Sequence, residues 1–133
     1  MRTRKMKQGF TLVEIMIVVA IIALLAAIAI PNLLRAKMTS NDALAKATLR
    51  AVSTAAESFG TANNGNYPGD WNSLTTATPP YLSTNYQAIS PVAGFNYTAT
   101  MSSAGYTVTA IPVLTNSTGS QTETITTGGV LTP

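Results

Sequence analysis

With 133 residues, 46% of them hydrophobic and only 10% charged, the chain has room for one small domain and an appendage rather than two independent cores. The formal net charge is +3, but four of the eight basic residues, Arg2, Arg4, Lys5 and Lys7, lie in the first nine positions, and subtracting those four leaves −1. That is too little positive charge to neutralise a run of phosphates, so no nucleic acid partner is expected; the lack of cysteine and histidine excludes disulfides, thiolate nucleophiles, imidazole bases and the common zinc sites.

Residues 1–9, MRTRKMKQG, are basic and end in glycine. Residues 10–34 follow with a single charge, Glu14, and from Ile15 to Ile30 every residue is apolar. A helix that is hydrophobic on all faces cannot lie on a soluble surface and must be buried all round. At about 1.5 Å per residue, positions 10–34 extend roughly 37 Å, enough to cross a hydrocarbon core of about 30 Å. Four cations before the span against Arg35 and Lys37 after it favour a cytoplasmic N-terminus. Ala20, Ala23, Ala26, Ala27 and Ala29 keep the segment slim, which suits close helix packing. Pro31 removes one backbone donor and clashes with the Ala27 carbonyl, so a kink is expected there, without ending the helix.

From residue 35 to 60 the pattern becomes amphipathic. Leu44, Thr48, Val52, Ala55 and Phe59 recur at helical steps, with Asp42, Lys46, Arg50 and Glu57 on other faces. Gly60 and the polar run Asn63–Ser73 supply stop and turn chemistry. Residues 61–93 read as an irregular connector, pinned by Tyr67, Trp71, Leu74, Tyr81 and Leu82. In residues 94–133 the period changes to two: Phe95, Tyr97, Ala99 and Met101, then Tyr106, Val108 and Ala110 after a turn at 102–105. A third strand at about 123–127 meets Gly128-Gly129, a favoured hairpin turn, and returns through Val130 and Leu131. The expected fold class is α+β: one long helix whose second half packs on a small antiparallel sheet.

The string Lys7-Gln8-Gly9-Phe10-Thr11-Leu12-Val13-Glu14, followed by the apolar run and Pro31, resembles the class III signal of type IV prepilins and pseudopilins. The resemblance implies cleavage by a prepilin peptidase between Gly9 and Phe10, methylation of the new N-terminal Phe10, and retention of the hydrophobic helix as a filament core. It implies that Glu14 meets the amine of a neighbouring subunit's Phe10, and that the helix loosens near Pro31. The implied partners are other copies of the chain in a helical homopolymer, the peptidase, an inner-membrane assembly platform with its ATPase, and the lipid bilayer before assembly. The precursor is then expected in the inner membrane and the mature chain in an extracellular pilus serving adhesion or motility, with no catalytic role.

Other pilins often close the C-terminal region with a disulfide, which this chain cannot form. Major pseudopilins commonly hold calcium near the C-terminus; with Asp70 and Glu123 the only acids after Phe59, no metal or cofactor is expected here. The same two residues have no titratable neighbour in sequence and make no credible acid and base pair. A pseudopilin of a secretion or DNA-uptake system, whose filament stays in the periplasm, is the nearest alternative. In a different class, a secretory signal cleaved at Ala27-Ile28-Ala29 would release a soluble binding module or enzyme, and would leave Pro31 second in the mature chain. Asn96-Tyr97-Thr98 and Asn116-Ser117-Thr118 match the glycosylation sequon, a pattern frequent by chance.

Overall fold

The computed structural model describes residues 9–133, so the basic leader, apart from Gly9, lies outside the described residues. Helix α1 (Leu12–Ala62) is followed by a five-residue helix α2 (Trp71–Thr75) and strands β1 (Phe95–Ser102), β2 (Gly105–Pro112), β3 (Glu123–Thr126) and β4 (Val130–Thr132). The chain divides into two compact units, residues 1–35 and 36–133.

In the first unit α1 is unbroken, with Pro31 inside it. Its large apolar side chains are exposed on every face, from 50% at Ile15 to 76% at Leu12. Among the described residues α1 is the one helix long and apolar enough to cross a membrane.

The second unit is a two-layer α+β head. Its part of α1 buries Ala45, Thr48, Leu49, Val52, Ser53, Ala55, Ala56 and Gly60. The sheet answers with Phe95, Tyr97, Tyr106, Val108, Ala110 and Ile125, and the connector adds Trp71, Leu74 and Leu82. Burying a side chain the size of Leu49 or Val52 contributes about 1.5–3 kcal/mol. The helix face is otherwise built of small residues, which lets the sheet backbone approach closely.

The sheet is an antiparallel meander in the order β1-β2-β3-β4. Alternation in β1 and β2 puts aromatic and aliphatic residues inside and threonines outside. The register aligns Thr98, Thr109, Thr124 and Thr132 in one outward row and Thr100, Thr107 and Thr126 in the next. At the β3–β4 turn Gly128 and Gly129 take φ of 83° and 74°, the left-handed region that only glycine enters without strain.

Three features depart from the sequence expectation. The connector contains α2, started by Asp70, whose carboxylate accepts from the Ser73 N–H at 2.8 Å and the Ser73 hydroxyl at 2.7 Å. Leu44, expected inside, is 48% exposed, and its neighbour Ala45 is buried instead. Asp42, Lys46 and Glu57, expected on faces away from the core, all reach the sheet or its loops.

Candidate functional site

The first N–H groups of a helix have no partner within it. Here Thr11 stands just before α1 and Glu14 lies in its first turn. The Glu14 N–H donates to Thr11 Oγ1 at 3.2 Å, and in return the Thr11 N–H and hydroxyl donate to Glu14 Oε2 at 2.8 and 2.7 Å. This reciprocal pairing is a capping box, and it fixes where the helix begins. Gly9 and Phe10 precede it, outside regular structure, with Phe10 87% exposed.

Of the residues singled out in the sequence, Gly9, Phe10 and Glu14 thus cluster at the start of α1, while Pro31 stands well along the same helix. Thr11 was not foreseen as a partner of Glu14, although Thr-x-x-Glu ahead of an apolar run is the signal that marks one. The carboxylate is held by hydrogen bonds from Thr11 and is exposed, so it is open to a further partner.

A second polar cluster lies in the head. Glu57 Oε1 accepts from the Gly128 N–H at 2.7 Å and the Tyr106 hydroxyl at 2.8 Å, and Oε2 accepts from the Tyr67 hydroxyl at 3.0 Å. Burial pushes the Glu57 carboxyl up, but the Gly128, Tyr106 and Tyr67 donors outweigh it and hold the group below the usual carboxylate range. Tyr106 is pushed up to about 12, chiefly by burial, with the Glu57 carboxylate adding to the shift and the Ser53 hydroxyl opposing it. Tyr67 is also raised, by its hydrogen bond to Glu57 first and burial second. Both phenols therefore stay protonated at neutral pH and donate.

Farther along α1, Lys46 Nζ lies 3.3 Å from Oε1 of Glu123, a nearly inaccessible carboxylate on β3 that also accepts from Gln121. Asp42 Oδ1 accepts from the Ser120 N–H at 2.9 Å, and Asn41 Nδ2 donates to the Thr118 carbonyl at 2.8 Å. Asp70 is occupied as the cap of α2, so neither it nor Glu123 is placed for acid and base chemistry.

Residues 4–30 match the family model of the prokaryotic N-terminal methylation motif. The chain is 56% identical over 52 residues to the type IV major pilin protein PilA of Myxococcus xanthus, covering 39% of this chain and 24% of the relative. It is 47% identical over 57 residues to the type IV wide pilus major component PilA4 of Thermus thermophilus, covering 43% and 44%. A longer alignment, 33% identical over 90 residues, joins it to the type II secretion system core protein G of Escherichia coli, covering 65% and 61%. In each case the alignment spans less than two thirds of the relative's own length. No solved structure matches. Over its N-terminal part the chain is thus similar to type IV pilins and to a type II secretion protein, and the described fold is a long helix with an antiparallel sheet packed on its head portion.

Proposed function

We propose that the chain is the structural subunit of a type IV pilus, processed by a prepilin peptidase between Gly9 and Phe10, methylated at Phe10 and polymerised through α1. The observation that carries this reading is the contrast within α1: the head core is filled without residues 12–34, yet their apolar side chains are exposed on every face. Such a surface needs a bilayer or other helices around it.

Before assembly the lipid bilayer serves, and the precursor sits in the inner membrane as a single span of about 35 Å with its N-terminus cytoplasmic. In the filament, the same segments of neighbouring copies replace lipid, delivered by the assembly platform and its ATPase, and a contact repeated without closure builds a helical polymer. Pro31 gives the helix a place to open as it packs. The chain itself performs no catalysis.

Glu14 has a defined part in this. A carboxylate near the end of an apolar span opposes insertion, so a partner must offset it. Cleavage creates an amine at Phe10, four residues and about 6 Å of helical rise before Glu14. A copy displaced axially by that amount offers its amine to Glu14 of its neighbour, and the two charges neutralise each other inside the core.

The test compares sheared surface filaments from wild type and Glu14→Ala, with the mature mass and the membrane level of processed subunit measured in both. The expected outcome is a mature chain beginning at methylated Phe10, equal processed subunit, and a filament yield lower by about tenfold or more in the variant. Normal filaments from processed Glu14→Ala subunit would overturn the role of the charge. A mature chain beginning at Ile30 would overturn the whole reading. The alignment with secretion protein G supports a short periplasmic pseudopilus as the second reading, and an absence of surface filaments from cells containing processed subunit would favour it.

A further inference from the structure

The segment after residue 117 is fastened to α1 in an unusual way: three of its links run through carboxylates. Asp42 takes the Ser120 N–H, Lys46 pairs with Glu123, and Glu57 takes the Gly128 N–H. Apolar packing on this side is thin. Ile125 is its one fully buried hydrophobic side chain and Leu131 is partly buried, whereas β1 and β2 together bury Phe95, Tyr97, Tyr106, Val108 and Ala110. A two-stranded hairpin of this length is marginal unless something holds it. Besides its pairing with β2 over Thr107–Ala110, the Asn41–Thr118 bond and the packing of Ile125, this row of charged links holds it to the helix.

We propose that residues 118–132, carrying β3 and β4, form a flap whose acid-releasable latch is the Glu57 carboxylate, which takes the Gly128 N–H at the β3–β4 turn. In a cysteine-free chain this link does reversibly what a disulfide would do permanently. The ionisable groups facing the three carboxylates are Tyr67 from the connector and Tyr106 from β2 at Glu57, and Lys46 from α1 at Glu123; Asp42 faces the Ser120 amide. Both phenols are raised and stay protonated from neutral to acidic pH, so the acid sensitivity at this latch rests with Glu57.

The sign follows from linkage. Glu57 is held below its ordinary value in the folded chain, so its stabilising contribution is present above about pH 4.5 and is lost as pH falls through the lowered value. A protonated Glu57 loses its charge-assisted bonds to Gly128 and the two phenols.

Peptide-resolved hydrogen exchange on the full chain in detergent micelles tests this, with labelling times scaled for the intrinsic exchange rate at each pH. From about pH 7 to about pH 3, peptides within 118–132 lose protection by about tenfold or more while β1 peptides keep theirs. In the variant E57Q, the flap exchanges at neutral pH as the wild type does in acid, and its pH dependence disappears. Equal loss of protection in β1 and the flap, or flap protection that ignores pH in the wild type, overturns the proposal. Both of those readings come from unmodified protein, so they stand even if the variant does not fold.

Discussion

The two halves of α1 are made from similar apolar material and meet different fates. From Ala45 to Gly60 the helix finds its partner within the chain, and Leu49 and Val52 are completely covered by the sheet and connector. From Leu12 to Leu34 the residues are larger and more uniformly apolar, yet their large side chains stand exposed among the described residues. Hydrophobicity alone therefore does not say what a helix packs on. Small residues mark the half that accepts a sheet at close range, and the all-round apolar half is the one left exposed.

The comparison breaks most readily at Leu49. Leu49→Ala removes a fully buried side chain and should cost the head about 2–5 kcal/mol in chemical denaturation. The same change at Leu25, 61% exposed, should leave head stability within about 0.5 kcal/mol. Comparable losses at both positions would mean that the exposed half is part of the same folding unit.

A smaller effect tests how closely the head is packed. A Cβ at Gly119 would sit 2.2 Å from Phe95 Cζ and 2.7 Å from Cε2, and the Phe95 ring has no accessible surface. Gly119→Ala should therefore destabilise the head by about 1–3 kcal/mol, read from its denaturation midpoint. Gly69, with nothing within 4 Å of its Cβ position, is the control and should tolerate alanine.

The smallest effect belongs to the start of the exposed half. Thr11→Val deletes the capping hydroxyl and should cost the first turn about 1 kcal/mol, seen by NMR in micelles as faster amide exchange at Val13–Ile15. The head signals should not move. If the first turn is equally ordered without the hydroxyl, the capping box is incidental to where the helix begins.

These contrasts also explain what was legible in the sequence. The strands were, because period-two alternation of Phe95, Tyr97, Tyr106 and Val108 and the Gly128-Gly129 turn are strong local signals. The apolar span was visible for the same reason, whereas Gly9, Phe10 and Glu14 were singled out by their resemblance to a prepilin signal. The inward face of the head half was legible in part: Thr48, Val52 and Ala55 are buried and Phe59 packs on the core as expected, but that face also takes Ala45, Ser53, Ala56 and Gly60, which hydrophobicity does not distinguish from an exposed face, so Leu44 was assigned in error. Asp42, Lys46 and Glu57 looked like a solvated face because two of them take backbone N–H groups and the third a distant carboxylate, and such partners leave no mark in local sequence. Thr11 was readable, and the Thr-x-x-Glu spacing is the sign that would have disclosed it.

The meander has a consequence in time. Each strand pairs with the next in sequence, β1–β2 and β3–β4 across short turns and β2–β3 across the loop at 113–122, so β1 to β4 assemble through local closures that cost little chain entropy. Docking on the helix is the opposite case, with Asp42 and Glu57 separated by 78 and 71 positions from the amides they capture. Closing a loop of that length comes late and depends on the sheet being present to receive it. The head half of α1, made before the sheet, therefore has only connector partners such as Tyr67 at Glu57 until the strands arrive.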